Sequence, residues 1–377
     1  MKKFFTLSLL LASALAANAN LDGNGYYRVQ NYKTLRYCSV IDNRGSIDLV
    51  ATSADLQAIK LWKLFEDVSH DPASIFYISK VGSEYQLTTQ GTGVYQIIDH
   101  YLNLRANGSA NGQTLYMAYG TYNNVTKYLA DANSWSGNRG SMGTNSSGDY
   151  RKWYILPVKA DSNDYFGAYP DVDADGSLYC SLYASFPFSA YSDGVKFYYV
   201  SNVASTGIVE LTEIEGTVPA ATPVVVECAG LSPADNKFNV GGTGAAVNGN
   251  LLKGQYFNCD VDGHINRVAY NPTNMRILGR CKDGSLGFVK ASIDYIPANT
   301  AYLTVPGWYP DELKCVKTHD EFTSGVEDIE AVEEASAPKT VYTMTGVMLY
   351  QDASDDEINS LPAGMYIIGG KKVIIKN

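Results

Sequence analysis

The chain has 377 residues, of which 45% are hydrophobic and 18% are charged, and this composition excludes an intrinsically disordered protein. Its formal net charge of -10 argues against nucleic acid or an anionic membrane as a partner, because neutralising phosphate requires clustered Lys and Arg. The 29 tyrosines, against 12 Phe and 4 Trp, favour half-buried pleated surfaces and neutral partners such as glycans or protein surfaces.

The N-terminal segment has the layout of a secretory signal peptide. Lys2 and Lys3 precede an apolar run at 4–15 that is too short to span a bilayer, and small residues follow it. We therefore predict a signal peptide at residues 1–19, with cleavage after Ala16 or Ala19. No later apolar stretch approaches spanning length, so the sequence predicts an exported chain with no transmembrane segment.

Residues 20–158 consist of short apolar and aromatic runs separated by Gly, Asn and Ser turns. Such runs, without apolar periodicity of helix length, predict short strands in an all-β closed domain. The exception is SADLQAIKLWKLF at 53–65, which is the one candidate helix of this segment. The runs that we expect to form strands include GYYRVQN at 25–31, IFYISKV at 75–81, YLNLRA at 101–106, QTLYMAYG at 113–120 and RKWYILPV at 151–158.

The opening Gly-x-Tyr-Arg-Val-x-Asn at 25–31, followed by Leu-Arg-Tyr at 35–37, resembles the first repeat of ricin-type β-trefoil lectins. The resemblance implies a β-trefoil fold and carbohydrate binding. Trp62 and Trp153 lie in similar contexts, about two units of a repeat of roughly 40 to 50 residues apart. The Gln-x-Trp signature of the family is missing from both contexts, so the sugar-binding residues of the family are not carried over.

A candidate ligand site lies in the stretch 114–150, which pairs aromatic with amide and hydroxyl side chains more densely than the rest of the chain. A sugar offers an apolar ring face and a rim of hydroxyls, which suits an aromatic platform beside Asn. Trp135 is flanked by polar turn residues, which is uncommon for a core side chain. The alternative is that the tyrosines are core or cross-strand residues and that 134–148 is only a loop. We predict ligand binding by Tyr119, Tyr122, Asn123 and Trp135, with Tyr116 and Asn124 fitting the same chemistry.

Residues 159–322 have a different texture, which predicts a β-sandwich. The clearest internal repeat of the chain pairs V-P-A-A-T-P-V-V-V from Val218 with I-P-A-N-T-A-Y-L-T from Ile296. In each copy Pro begins a strand and a β-branched or apolar run enters the core, so we predict equivalent strands of one sandwich. The segment resembles a β-sandwich module of large exported Bacteroidetes proteins, where its role is architectural. The alternative is a site at its interface with the first domain.

Asp171, Asp173, Asp175 and Gly176 match the start of a calcium loop, in which alternating carboxylates converge on a hard cation. Leu182 stands where such a loop requires a bidentate Glu, so the sequence favours no cofactor, and Ca²⁺ is the alternative. The six cysteines lack CxxC spacing and indicate no metal cluster; they are either disulfide-bonded or small buried residues.

The last part of the chain comprises an acidic linker at 323–340 and a tail at 341–377. A Leu-Pro-Ala-Gly turn leads into a strand, a Gly-Gly hairpin and a closing strand, which could complete a small sandwich. The pattern resembles the C-terminal sorting domain of the type IX (Por) secretion system of Bacteroidetes. The resemblance implies that outer-membrane secretion machinery recognises the tail. It rests on Leu361, Pro362, Gly364, Tyr366, Lys371 and Lys372, together with Tyr342, Gly346, Val373 and Lys376.

No sequence motif of a known nucleophile, metalloprotease or phosphate loop is present, although paired carboxylates of a glycosidase leave no required spacing. The sequence therefore favours a non-catalytic protein, without deciding against an enzyme. We predict a protein of the secreted or outer-membrane surface of a Gram-negative bacterium that binds carbohydrate or host surface proteins. The alternatives are a secreted hydrolase, either glycosidase or protease, and a structural or protease-inhibiting surface protein.

Overall fold

A computed structural model describes residues 21, 23–42, 59–61, 68–88, 102–122, 124–131, 140–255, 268–325, 339–344, 346–368 and 371–375. The strands within these residues dominate the chain, and the predicted all-β class is confirmed. The signal peptide predicted at 1–19 lies outside the described residues.

The first group of strands closes into a ring. The ring has the order β10-β1-β4-β5-β6-β7, and β10 pairs with both β1 and β7. β2 pairs with β3, and β8 and β9 extend the sheet from β7. The strands are β1 Gly25–Asn31, β2 Val40–Asp42, β3 Ile59–Leu61, β4 Phe76–Val81, β5 Glu84–Thr88, β6 Leu102–Ala110, β7 Gln113–Tyr122, β8 Val125–Asp131, β9 Gly140–Gly143 and β10 Trp153–Pro157.

Alternation along the strands explains why this ring forms. In β1, Tyr27 and Val29 are buried and belong to the same core cluster as Trp153 and Ile155 of β10. Trp153 is 1% exposed, and its indole N–H donates to the carbonyl of Leu129 at 3.2 Å. The core inside the ring is therefore built from residues that lie two apart, as one face of a strand requires.

Two β-hairpins lie between the strands of the ring. The pair β2 and β3 separates β1 from β4, and the pair β8 and β9 separates β7 from β10. The helix suggested for 53–65 is wrong at Ile59–Leu61, because these residues pair antiparallel with Val40–Asp42. A third hairpin of a trefoil would fall between β5 and β6, where 89–101 lie outside the described residues, so the trefoil stays a prediction.

The second group of strands forms two sheets. The smaller has the order β11-β19-β14-β17 and the larger β12-β13-β18-β15-β16-β24-β22-β21-β23-β20. A shared core of Phe166, Phe188 and Phe238 from the smaller sheet and Phe197 and Val226 from the larger joins them face to face, as in a sandwich. The strands are β11 Phe166–Gly167, β12 Val172–Ala174, β13 Ser177–Leu182, β14 Phe188–Ala190, β15 Lys196–Val203, β16 Ile208–Glu213, β17 Thr217–Val218, β18 Val224–Cys228, β19 Lys237–Val240, β20 Leu252–Gln255, β21 Met275–Arg280, β22 Leu286–Val289, β23 Thr300–Thr304 and β24 Glu312–Val316.

The Val-Pro-Ala and Ile-Pro-Ala repeat is visible in the backbone. Ala221 and Asn299 occupy equivalent positions of the two copies and both have positive φ, 57° and 59°. The strands that follow these turns, β18 and β23, were predicted in one sandwich, and both lie in its ten-stranded sheet. Both turns meet the same segment, because Ala221 N–H donates to the carbonyl of Ala184 and Tyr183 N–H donates to the carbonyl of Asn299.

Side chains of the ring and of the sheets pack together. The side chain of Tyr183 belongs to the core cluster inside the ring of strands. Tyr26 of β1 packs on Phe186, with the centroids of the two aromatic rings 5.6 Å apart. Arg28 is 1% exposed and donates to the carbonyls of Val68 and Tyr165, each at 2.7 Å. These contacts fix the ring against the residues that lead into the sheets.

The C-terminal residues form one four-stranded antiparallel sheet, where the sequence predicted a small sandwich. Its order is β26-β25-β27-β28, and Ile358 of a one-turn helix packs on its core of Val341, Ala353, Leu361 and Ile368. The first strand begins at Lys339, two residues before the predicted start of the tail. The elements are β25 Lys339–Thr343, β26 Met348–Ala353, α1 Asp355–Asn359, β27 Gly364–Ile368 and β28 Lys371–Ile375.

The cysteines that the structure describes are buried thiols, namely Cys38, Cys180, Cys228, Cys281 and Cys315. Burial raises the pKa of the Cys38 and Cys315 thiols well above the ordinary value, which keeps them protonated. Of the two predicted alternatives, the structure therefore has these five as small buried side chains. Cys259 lies outside the described residues.

Candidate functional site

Four adjacent strands, β5 to β8, present a row of polar and aromatic side chains on the outside of the ring. The register places Asn103 of β6 opposite both Gln86 of β5 and Tyr119 of β7, and Tyr119 opposite Tyr128 of β8. The alternate residues of the same strands are buried in the ring core, namely Leu87, Leu104, Ala118 and Leu129. The outward row is thus the necessary counterpart of the apolar face that fills the ring.

The two tyrosine rings of this row form the centre of an aromatic surface. The ring centroids of Tyr119 and Tyr128 lie 6.0 Å apart with an interplanar angle of 41°. The guanidinium carbon of Arg105 stands 5.2 Å from the Tyr119 centroid and 5.8 Å from that of Tyr128. One cation therefore contacts both rings, which orients them and leaves polar N–H groups beside them. We call the surface formed by Glu84, Gln86, Asn103, Arg105, Tyr119 and Tyr128 the tyrosine face.

A carboxylate fixes the hydroxyl of Tyr119. The Tyr119 hydroxyl donates to Oε1 of Glu84 at 2.5 Å, although the two residues lie 35 apart in sequence. Burial and this bond to Glu84 raise the pKa of Tyr119 to about 12. The phenol therefore stays protonated at neutral pH and acts as a hydrogen-bond donor toward Glu84.

Two hydroxyls border the tyrosine face at the end of the β7–β8 hairpin. Thr121 and Thr126 are paired across these strands, and their hydroxyl oxygens lie 3.1 Å apart. Asn124, in the turn that joins the strands, has a positive φ of 60°. This turn geometry sets the register of the hairpin and hence the alignment of Tyr119 with Tyr128.

The predicted ligand residues fall differently in the structure. Tyr119 lies on the tyrosine face. The backbone of Tyr122 ends β7 opposite Val125, whereas its side chain is outside the described part of the structure, so its role in binding stays a prediction. Asn123 and Trp135 also lie outside the described residues, so their role stays a prediction. Tyr116, which fitted the same chemistry, is a core residue that is 7% exposed, and its hydroxyl accepts from Leu21 N–H.

Sequence reasoning missed Glu84, Arg105 and Tyr128 because they come from other strands than Tyr119. The signal that would have found Tyr128 is its place beside the apolar Leu129 in a strand, because successive side chains of a strand point to opposite faces and Leu129 is buried. Glu84 and Arg105 carry no such signal, because their neighbourhood depends on which strands pair in the sheet.

The acidic run at 171–176 is a β-hairpin. Asp175 and Gly176 form its two-residue turn, with positive φ of 53° and 75°, between paired Ala174 and Ser177. One oxygen of Asp175 accepts the N–H of Leu286 at 2.9 Å, and Asp173 points to solvent from β12, opposite Leu178. Asp171 precedes the hairpin, and its N–H donates to the carbonyl of Tyr179. Within the described ranges, no group of three or more His, Cys, Asp or Glu could hold a metal ion.

The residues of the tail motif have local structural roles. Leu361 is 5% exposed in the core of the C-terminal sheet, and Pro362 is exposed. The Tyr366 hydroxyl donates to the carbonyl of Pro362 at 2.9 Å, which holds the turn before β27. Gly364 and Lys371 begin the paired strands β27 and β28, and Lys372 is exposed opposite Ile367.

Apolar side chains are exposed on this same sheet. Met365 and Ile374 are directly opposite each other, and they are 48% and 59% exposed. Further exposed apolar residues lie on or beside its first hairpin, namely Met344, Val347, Met348 and Leu349. In the part of the chain that the structure describes, no helix is long and apolar enough to cross a membrane.

Comparisons with known proteins give little. No family model and no curated protein matches the chain. Among solved structures, one whose title is "Structure and mode of action of a mosquitocidal holotoxin" is similar at 12% identity and a TM-score of 0.26. The match covers 74% of this chain and 40% of that chain, so this chain spans less than half the length of that structure. At this TM-score the likeness carries no argument about fold or function.

Proposed function

We propose that the protein is an exported, surface-displayed carbohydrate-binding protein whose ring of strands, a β-trefoil, binds a neutral glycan at the tyrosine face. The observation that carries the proposal is the pair of rings, Tyr119 and Tyr128, beside a guanidinium, a carboxylate and two amides. An aromatic surface accepts the C–H face of a sugar, and the polar groups around it exchange hydrogen bonds with the hydroxyl rim. This role is binding alone, and no covalent bond of the ligand is broken.

The tyrosine face is largely formed before a ligand arrives. Arg105 holds both rings, and Glu84 holds the hydroxyl of Tyr119. All these side chains project from paired strands rather than from a loop. Few side chains therefore lose rotamer freedom when a sugar binds, which lowers the entropic cost of binding.

Tyr128→Ala tests this site. Because ring stacking is worth about 1 to 3 kcal/mol, we expect the dissociation constant for a bound neutral glycan to rise about tenfold or more. The ring of Tyr128 is only half-buried, so the melting temperature should change little. The measurement is a glycan-array screen of the mature chain followed by titration calorimetry.

The matched control is Tyr150→Ala, which removes a 41% exposed tyrosine outside the tyrosine face and should bind like the wild type. Equal affinity of Tyr128→Ala and the wild type would contradict the assignment of the site. Release of shortened saccharides from the bound glycan would instead establish the hydrolase alternative.

The C-terminal sheet supports the second part of the proposal, recognition by the outer-membrane secretion machinery. Met365 and Ile374 form an exposed apolar pair on a sheet in which β28 is an edge strand among the described residues. Exposed apolar surface at a sheet edge marks a place where another protein binds. The ring and the sandwich do not use these strands, so the tail can be recognised while the rest of the chain is folded.

Deleting residues 339–377 should leave a folded, soluble protein in the periplasm. The expected result is loss of surface display, with unchanged glycan affinity of the purified truncated chain. Fractionation with surface proteolysis measures the first, and calorimetry the second. The control is the full chain in cells that lack the outer-membrane secretion machinery, which should accumulate in the same compartment. A truncated chain that still reaches the surface would disprove the sorting role.

A further inference from the structure

An exposed tryptophan stands at one end of the ten-stranded sheet, far in sequence from the tyrosine face. Trp308 lies in the loop between β23 and β24 and is 71% exposed, whereas Trp153 of the ring is 1% exposed. Its ring centroid is 4.6 Å from that of Tyr309. A side chain of this size is seldom left in water without a use, because burying it would stabilise the fold.

A buried arginine, Arg276, is hydrogen-bonded to the loop that carries Trp308. Arg276 is 0% exposed, and its Nε and Nη2 donate to the carbonyl of Pro310 at 3.1 and 2.9 Å. The same guanidinium donates to the carbonyls of Pro272 and Met275 at 3.1 and 2.8 Å. Two loops are thus tied to one rigid guanidinium group, so the position of Trp308 is set before any ligand binds.

The loops at 271–274 and 306–311 carry hydrogen-bonding groups as well as the aromatic pair. Gly307 lies so close to Thr273 that a Cβ added to it would come within 2.8 Å of the Thr273 methyl carbon. The Asn271 side-chain oxygen accepts the Thr273 N–H at 3.0 Å, and Lys290 Nζ pairs with Asp311 at 2.5 Å. The two loops therefore carry hydroxyl, amide and ion-pair groups in addition to the exposed Pro272, Pro306 and Pro310.

The side chains in these loops distinguish between a protein, a lipid surface and a sugar as the partner. Of the large apolar residues that are exposed, Trp308 is the one within the described loops at 271–274 and 306–311. Docking of an apolar protein surface or insertion into a lipid surface needs several large apolar side chains together, whereas in these loops Trp308 stands beside Tyr309 and the exposed Pro272, Pro306 and Pro310. One exposed tryptophan ring with hydrogen-bonding groups in the same loops suits a sugar, whose apolar face is small and whose rim needs hydrogen bonds.

We propose that Trp308 is the stacking platform of a second carbohydrate site, which takes one neutral sugar ring of a glycan. The ligand class rests on the proposed function of the tyrosine face, whereas the site itself rests on the exposure of Trp308 and its anchoring by Arg276. With two sites on one chain, a glycan-coated surface is bound at two points. The second contact is then intramolecular, and the apparent affinity exceeds that of either site alone.

The test compares the wild type with Trp308→Ala, Tyr128→Ala and the double variant. Binding is measured to immobilised neutral polysaccharide, where both sites contribute, and to short soluble neutral oligosaccharides by calorimetry. Trp308→Ala should weaken binding to the immobilised polysaccharide at least tenfold and lower the number of oligosaccharides bound per chain from two to one. Trp308→Tyr, which keeps a ring, should restore most of this loss. Leu231→Ala is the matched control, because Leu231 is equally exposed at 72% and lies elsewhere.

The outcomes separate the two proposals. Loss of binding in Trp308→Ala together with normal binding in Tyr128→Ala supports the second site and overturns the tyrosine face. Normal binding and unchanged stoichiometry in Trp308→Ala overturn the second site, whatever Tyr128→Ala does. A wild-type chain that binds a protein ligand through Trp308 and no glycan overturns both. Trp308 and Leu231 are exposed and Tyr128 is half-buried, so all variants should melt close to the wild type. Thermal melts confirm that each protein is folded.

Discussion

Replacing Trp153 by alanine is expected to lower the free energy of unfolding by about 3 to 5 kcal/mol, the range for removing a large aromatic side chain from a core. Trp153 is 1% exposed and lies in β10, the strand that closes the ring against both β1 and β7. The substitution would leave a cavity in the core cluster and the carbonyl of Leu129 without the indole N–H. Chemical denaturation followed by far-UV circular dichroism measures the change.

Tyr150→Ala provides the comparison for this experiment as well, since Tyr150 lies shortly before Trp153 and is 41% exposed. We expect that variant to differ from the wild type by about 0.5 kcal/mol or less. A loss of under about 1 kcal/mol for Trp153→Ala would contradict the closed ring, because it would place Trp153 outside the core.

Arg28→Met should produce a loss of comparable size at the place where the ring contacts the sheets. Arg28 donates to Val68, Tyr165 and the hydroxyl of Ser74, and Met supplies none of these bonds. Burial raises the pKa of Asp71, and the positive charge of Arg28 counteracts that rise. Removing the charge leaves the carbonyls of Val68 and Tyr165 without this donor and the Asp71 carboxyl with only the bonds from Ser39 and Ala73, which costs about 3 to 5 kcal/mol.

Arg280→Met is the control, because Arg280 is an exposed arginine of a strand that contributes nothing to this junction. The measurement is differential scanning calorimetry, in which Arg28→Met should lower the melting temperature and Arg280→Met should not. If the two variants melted alike, the buried role of Arg28 would be wrong.

Local patterns were sufficient for much of the fold. The alternation of GYYRVQN predicted β1, and the two Pro-Ala turns predicted strands that prove to share one sheet. The strands predicted on either side of the tail hairpin pair as β27 and β28, with Ile368 opposite Lys371. In each case the information lies within about ten residues, because turn chemistry and a two-residue period are local properties.

Other features depended on contacts that the sequence does not reveal. Tyr116 and Tyr119 look alike in QTLYMAYG, yet one is in the core and the other on the tyrosine face, because their separation of three residues puts them on opposite sides of β7. Ile59–Leu61 looks helical alone and becomes a strand through its pairing with Val40–Asp42. The bonds from Arg276 to the loop that carries Trp308 likewise depend on which loops lie together in the fold.

The pairing of β1 with β10 has a consequence for the time course of folding. The first and the last strands of the ring are neighbours, so the pairing of Asn31 with Trp153 joins residues from the two ends of this segment of the chain. Domains dominated by such distant contacts fold in milliseconds to seconds, much more slowly than helical proteins of similar size. Under the proposed export, the ring cannot close outside the inner membrane until residues as far as Trp153 have crossed it, because Asn31 and Trp153 are paired in the ring.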